Sequence, residues 1–459
     1  MRTLDQILTK KDYSRKTPAS LFYKDSPLWQ KLLAIGCVFF LSVAGLGEWK
    51  VLNGMLGGLP KAITLGVIGL AMLYTLFYPD EKRLREIWKP TLLYMSLMVA
   101  LFFWSMVIWI KSFATVSSMI RSCSKLVFQS IAILTAVALV YLFREKAIEL
   151  FTISICITNG AIMLLCIPDY GVGASIQSLI TCLVTFGDAV GYARQLEIHD
   201  LTFVFGQMIL YYAVFAPRTT RQEKRKRWLY LLACCWFFLV GMKRSAIPAV
   251  LLFILIALLL RKRKVPSWFY PAVGVCYILF FLVFLYCVRY GIISRLLNSV
   301  GVDMMGRDYL WSMANPYYEF SVTYLGHGFE YVDTIIGQWY SAGLINHPYP
   351  FHNDILKVFV EVGFPGFLLW SGIQYVLTPL FWQRYADQET TLLYLCELGY
   401  MTVTYLTDNT AFYFWSTMAL RLVAFSYAME RKKPPEPKVW MPDSRQEMRD
   451  RIRILMKEV

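Results

Sequence analysis

Apolar residues run through this chain in long unbroken blocks, not at the spacing of a helix lying on water or the alternation of a strand. Such blocks predict helices that cross a bilayer, where about 20 apolar residues span the hydrocarbon and every backbone N–H and C=O is satisfied within the segment. The pattern places spans near 30–47, 59–78, 91–110, 126–143, 148–167, 201–216, 228–242, 245–260, 267–288, 356–382, 390–406 and 410–429. The predicted fold is therefore an all-α polytopic membrane protein with about 12 transmembrane helices. One polytopic domain over 31–430 lies between a basic N-terminal segment, 1–30, and a basic tail, 431–459, and it carries a large loop over 290–353.

Composition agrees: 57% of the residues are hydrophobic and 17% charged, which excludes a water-soluble globular domain. About thirty residues rich in Lys and Arg precede the first block and no small-residue cleavage site follows it, so that block is expected to be retained. The ten cysteines fall mostly inside apolar blocks without a CxxC pair, and read as small core residues, not as a disulfide frame or metal site. A net charge of +15 invites a nucleic-acid partner until it is read by location. About 33 of the 46 Lys and Arg fall on one side, in the N-terminal segment, "PDEKRLREIWK", "REK", "PRTTRQEKRKR", "RKRK", "QRYADQE" and the tail. That side is expected to be the cytoplasm, with both termini in it, and the partner of the charge is anionic inner-leaflet lipid, not nucleic acid.

About thirteen basic residues are exceptions to this bias, and several of them, Lys111, Arg121, Lys125, Arg194, Lys243, Arg244, Arg289, Arg295 and Arg307, are expected at outward span ends or in outer loops. Snorkelling to headgroups is the expected explanation for Lys111, Lys125 and Arg289. Arg244 is different, because "GMKRSAIPAV" turns between two apolar blocks with no room for a loop. Its charge is held at the membrane surface and calls for an anion, either substrate or one of Asp188, Glu197, Asp200, Asp303, Asp308 and Asp354. The loop over 290–353 contains "DMMGRDYLW" and "YLGHGFEYVDTIIGQWY", whose aromatics predict short helices on the outer surface. A second outer segment, Asp169–Asp200, is expected to include a half-buried helix.

The polar stretch "INHPYPFHNDILKVFVEVGFPG" stands at the mouth of a predicted span. Pro348 and Pro350 hold it extended, and Asn353 or Asp354 suits the cap of the helix that follows. His352 then sits just outside a helix N-terminus, where a neutral ring is favoured and anions are attracted to free N–H groups. A neutral base beside an anion site suits transfer from a phosphate leaving group; a capping and interface histidine is an equal reading of the same residues. A metal site of His347, His352 and Asp354 is disfavoured, since its spacing crosses two prolines and supplies no further nitrogen or sulfur ligand. His327 in "GHGF" reads as a tight turn, and His199 in "EIHD" is left open. Glu397 and Arg421, at similar depth on adjacent spans, are expected to pair. Glu361 lies about two turns into its helix, which Gly363, Pro365 and Gly366 are expected to kink.

Taken in order, the turn "KRSA", the loop with "GRDYLW", the "GHGF" turn and "HNDILKVFVEVGFPG" resemble the O-antigen ligase and O-antigen polymerase superfamily over about residues 190 to 430. The resemblance implies a GT-C-like helical fold with its active site on the outer face of a bacterial plasma membrane, under the large loop. It implies glycan transfer from undecaprenyl diphosphate to an acceptor sugar hydroxyl, with no cofactor, nucleotide sugar or obligatory metal. Carried over by position, Arg194, Arg244 and Arg307, with Lys243 beside them, bind the diphosphate. His352 orients or deprotonates the acceptor, Asn353 fixes the loop, Trp311 packs it, and Asp354 and Glu361 support the site. Here "EIHDL" replaces the Asn-Pro that often follows the position of Arg194. Implied partners are the lipid-linked glycan donor, the glycan acceptor, membrane lipids, and a chain-length regulator or flippase.

Physical chemistry supports that carry-over, since guanidiniums bind a diphosphate bidentately and stabilise charge growing on the leaving oxygen. A transporter or flippase of lipid-linked glycan is one rival, although no internal repeat stands out. Another is a transferase using a polyprenyl monophosphate sugar, against which the first outer loop offers Glu48 alone. Polymerase, the preferred reading, and ligase differ in acceptor, which these residues do not separate.

Overall fold

The computed structural model describes residues 28–431, apart from 113–114, 186–188, 302–303 and 305. The basic segment up to residue 27, the tail from 432, and Asp188 and Asp303 lie outside the described residues. The described chain is helical, without a strand: α1 Leu28–Leu46, α2 Lys50–Leu56, α3 Leu59–Ala62, α4 Leu65–Phe77, α5 Glu81–Ser112, α6 Val116–Phe143, α7 Ala147–Tyr170, α8 Val172–Thr185, α9 Tyr192–Gln195 and α10 His199–Leu210. There follow α11 Arg221–Val240, α12 Ala246–Leu260, α13 Phe269–Arg289, α14 Ile292–Ser299, α15 Arg307–Met313, α16 Tyr331–Ser341, α17 Asp354–Ser371, α18 Thr378–Tyr385, α19 Gln388–Thr407 and α20 Phe414–Arg431.

Six helical runs among these are long and apolar enough to cross a membrane: Leu28–Leu46, Leu59–Phe77, Glu81–Ser112, Val116–Tyr170, Phe269–Arg289 and Asp354–Tyr385. The Val116–Tyr170 run covers 55 residues and turns back at Arg144–Lys146, so it contains both α6 and α7. The other spans expected from sequence fall on helices that are shorter or more polar. Helix α10 has 12 residues and continues as a π turn, α11 opens on "RQEKRKR", and α19 and α20 carry Glu397 and Arg421.

Helices α19 and α20 are buried along almost their whole length and form the centre; α20 packs on α6 and α10, and α19 on α12. Peripheral helices leave Leu76, Leu251, Leu255, Leu279 and Val283 exposed. Apolar on the core side and on the open side alike, these helices have surfaces suited to lipid.

The long connection after α13 is folded onto the bundle by α17. That helix breaks at Gly363, whose φ is 65°, so the expected kink is present. A break of this kind strands backbone groups at membrane depth, tolerable only where protein satisfies them. The "GHG" turn does so: the N–H groups of His327 and Gly328 donate to Glu361 O at 3.0 and 2.7 Å, and Phe364 N donates to Tyr324 O at 2.8 Å. Trp104 Nε1 takes Val362 O at 2.7 Å. The approach requires glycine, since a Cβ on Gly326 would stand 2.4 Å from Glu361 O. His327 belongs to this clasp, its Nε2 2.7 Å from Tyr317 O and its ring stacked on Tyr331.

Ion pairs add a second fastening. Buried Lys357 on α17 meets Asp333 at 2.7 Å, Glu330 at 3.4 Å and Glu361 at 3.9 Å. Arg121 and Lys125 on α6 reach the same Glu330 at 4.0 and 3.7 Å. Two expectations are corrected here. Lys125 and Arg289 do not snorkel: Lys125 holds Glu330, and Arg289 donates to Asn315 O over the Tyr318 ring, because the folded loop offers both a nearer partner than any headgroup. Glu397 and Arg421 do not pair either; Arg421 turns to Thr417 O and Gln374 Oε1, while both Glu397 oxygens are buried without a hydrogen-bond partner among the described residues. Equal depth on neighbouring helices leaves the rotation about each axis unspecified.

Candidate active site

His352 lies between the clasped loop and the turn joining α19 to α20. Its φ of 52° is in the left-handed region that side chains rarely adopt, and the surroundings enforce it. Its N–H donates to Asn409 Oδ1 at 2.8 Å, and Trp311 Nε1 on α15 holds the preceding carbonyl, Phe351 O, at 3.1 Å. Asn353 caps α17 by accepting from Leu356 N at 3.0 Å, and Asp354 Oδ2 accepts from Ala411 N at 2.7 Å. Residues 351–354 are thereby stitched to 409–411 and to α15.

The ring is set beside a carboxylate. His352 Nδ1 stands 3.5 Å from Asp408 Oδ1, close enough for charge pairing although longer than an aligned hydrogen bond. Asp408 Oδ2 is 3.8 Å from Lys243 Nζ, which lies 3.0 Å from Glu197, itself 3.7 Å from His199. Burial would raise Asp408, but His352, Lys243 and His199 outweigh it and hold the carboxyl at about 2. Glu197 is likewise held below its usual range, its burial overcome chiefly by Lys243 and His199. The "KRSA" turn thus abuts the Thr407–Asn409 turn, with a further contact from Thr407 Oγ1 to Ser245 Oγ at 3.5 Å.

Two cavities meet at His352. One, of about 470 Å³, is walled by Lys50, Lys61, Lys125 and His199, by Glu48, Glu197, Asp200 and Asp408, and by the rings of Phe128, Phe412, Tyr413 and Phe414. The other, of about 390 Å³, is walled by Arg307 with Tyr309, Leu310, Leu344, Ile345, Asn346 and Tyr349. In the first, Lys61 pairs with Glu48 at 3.1 Å and Lys50 Nζ donates to Arg194 O at 3.0 Å. Asp200 accepts from Trp415 N, Ser416 N and Ser416 Oγ at 2.8–2.9 Å, capping α20 from across the cavity floor.

The residues singled out from sequence therefore divide. His352 and Arg307 share a cavity, and Lys243 reaches His352 through Asp408. Arg194 and Arg244 are exposed on the same end of the bundle, one on α9 and one in the "KRSA" turn, and line neither cavity. Trp311, Asn353 and Asp354 hold the backbone around His352, and Glu361 lies in the clasp, one oxygen accepting from Val332 N at 3.2 Å. His347 is exposed beside Tyr349. Asp408, Asn409, Lys50 and Lys61 were not anticipated. The signal for the first two was the polar turn "TDN" between two apolar blocks.

Residues 229–371 match the profile of the family described as O-antigen ligase, a segment running from α11 through the long loop to the end of α17. No curated protein matches the chain.

Proposed function

We propose that this chain, a bacterial membrane protein belonging to the O-antigen ligase and polymerase superfamily, polymerises lipid-linked oligosaccharide repeats by transfer from undecaprenyl diphosphate to an acceptor sugar hydroxyl. Twelve crossings are assigned, α3 with α4 counting as one and α10 with its π turn as another, in a GT-C-like bundle. The basic end is taken as cytoplasmic and the end carrying His352 as the outer face.

One observation carries the reading: a histidine with a carboxylate at one ring nitrogen is the wall between an arginine-bearing cavity and a larger one lined by paired charges and aromatic rings. Arg307 and the apolar residues beside it suit a diphosphate at the head of an isoprenoid chain. Alternating carboxylates, lysines and rings suit an uncharged sugar, which offers hydroxyls to the first and C–H faces to the second. In the transfer, the acceptor oxygen forms its bond to the anomeric carbon while its proton passes to His352 Nε2. The bond from that carbon to the diphosphate oxygen breaks, and its electron pair leaves on the diphosphate, whose added charge Arg307 meets. Asp408 orients the ring and stabilises the imidazolium that forms. Arg194, Arg244 and Lys243 add positive potential around the entrance. Charge stabilisation is assigned to these side chains, with no metal required.

Transfer of a finished glycan to another surface acceptor is a second reading, favoured by the family's description as a ligase. Strains carrying His352→Ala or Asp408→Asn at matched protein level test both. Loss of long polymer with single repeats still attached identifies a polymerase, whereas polymer stranded on its lipid carrier identifies a ligase. Unchanged surface glycan in both variants overturns the site.

A further inference from the structure

At the end of the bundle away from His352, the helix that begins as α10 finishes in a π turn, Tyr211–Phe215, and stops before Pro217, which has no N–H to continue it. The last carbonyls of a helix lack intrahelical partners and carry the negative end of its dipole. Three guanidiniums converge on them. Arg218 Nη2 donates to Val214 O at 2.6 Å, Arg227 Nη2 to Ala213 O at 2.6 Å and its Nε to Tyr212 O, and Arg261 Nη1 also reaches Val214 O. Arg261 pairs with Glu389 at 2.5 Å, and Arg431 with Asp387 at 2.5 Å and Glu389 at 3.1 Å. Among the described residues, Arg218 and Arg227 bond to carbonyls and pair with no carboxylate. Burial and the charges of Arg218 and Arg261 push the Arg227 guanidinium down from its ordinary value, a sign of how closely these cations are set.

Beside this cluster opens a cavity of about 460 Å³ walled by Arg218, Arg261 and Arg431, by Phe215 and Tyr427, and by a single carboxylate, Glu430. Capping of the helix end accounts for the carbonyl bonds. Glu389 and Asp387 account for Arg261 and Arg431. Neither accounts for Arg218, which among the described residues pairs with no carboxylate and faces an open space with aromatic walls and two further guanidiniums. Exposed Trp228, next to Arg227, and exposed Leu229 and Leu232 below it mark the adjoining surface of α11 as a membrane interface.

We infer that this cavity holds the phosphodiester headgroup of an anionic phospholipid in the leaflet at the basic end. The three elements it joins, the π turn after α10, the end of α12 and the end of α20, carry at their other ends His199 and Asp200, the "KRSA" turn, and Phe414 to Ser416. A bound headgroup therefore fixes the mutual position of two helices that wall the larger cavity beside His352, through His199, Asp200 and Phe414, and of the helix whose turn abuts Asp408.

The test is thermal unfolding of the full-length chain in zwitterionic detergent, with phosphatidylglycerol, phosphatidylcholine or inorganic phosphate added at equal phosphate concentration. Phosphatidylglycerol raises the unfolding midpoint; the other two do not. Arg218→Gln weakens the half-saturating concentration by about tenfold, Arg218→Lys by less, and Arg225→Gln, exposed on the same face outside the cavity, leaves it unchanged. Equal protection by phosphatidylcholine or by inorganic phosphate overturns the proposal, as does an equal loss in Arg225→Gln.

Discussion

Replacing Asp408 by Asn removes a charge and keeps the shape, which isolates what the carboxylate does for His352. Asp408 is buried, and burial alone would raise it above its ordinary value of 3.8; the cations around it bring it instead to about 2. At 1.36 kcal/mol per pH unit the difference corresponds to roughly 2–3 kcal/mol of net attraction, shared among His352, Lys243 and His199. Because the folded value is depressed, this stabilisation is fully present above 3.8 and is lost as pH falls through about 2, so the group is ionised throughout any working range. The Asn variant should therefore unfold about 2–3 kcal/mol more easily at neutral pH, with the deficit closing in strong acid. Its transfer rate, measured by gel mobility of glycan made from a polyprenyl-diphosphate-linked repeat in proteoliposomes, should fall about tenfold to a hundredfold in kcat, with KM within about twofold. A purely structural role would lower the amount of active protein and leave the pH profile in place. A role in stabilising the transferred proton changes the shape of that profile as well. Asp408→Glu should restore part of the rate. Full activity with an unmoved profile in Asp408→Asn refutes the reasoning.

Lys357→Met leaves Asp333, Glu330 and Glu361 facing one another without the cation they share, and should cost about 3–5 kcal/mol in denaturant unfolding. Asp333 resists protonation because Lys357 and its neighbours outweigh its burial, so wild-type stability from this pair is present above 3.8 and falls in acid; Lys357→Met should lose that acid-side slope. Gly326→Ala sets a Cβ 2.4 Å from Glu361 O at a φ of 90°, and should lower stability by about 2–4 kcal/mol and polymer yield with it, both read on purified protein. Trp311→Phe removes the bond to Phe351 O and should cost about 1 kcal/mol in unfolding while reducing transfer more than stability, because the freed carbonyl precedes His352.

Much of the helical fold was legible because the bilayer leaves the chain little choice. Blocks such as 91–110 and 267–288 became α5 and α13 since backbone groups in hydrocarbon must bond within the segment. The kink at Gly363 was legible from glycine and proline, and so were short helices in the long loop. Partnerships were not. Sequence spacing set Glu397 opposite Arg421, yet helix rotation gave Arg421 to Gln374 and left Glu397 without a hydrogen-bond partner among the described residues. Lys125 looked like a surface lysine because nothing local hints that Glu330 will fold back over it. Asp408 was hidden for the same reason: its value to His352 comes from a contact between two turns far apart in the chain.

The clasp changes what the motif-rich stretch from Tyr324 to Gly366 means. "GHG" and "EVGFPG" are not two pieces of reaction machinery; each is the other's backbone partner, with the carbonyls freed by the break at Gly363 received by the loop and by Trp104. Helix α17 begins at the cap beside His352 and reaches this break within its first three turns, so any movement at the clasp is passed along a rigid segment to the imidazole. Substitutions at Gly326, Gly363 or Lys357 should therefore lower transfer without touching a reacting atom. Loss of activity alone cannot rank these residues against His352 and Asp408. A change in pH profile can, because only groups that exchange or stabilise the transferred proton move its limbs, and the clasp is assigned neither role.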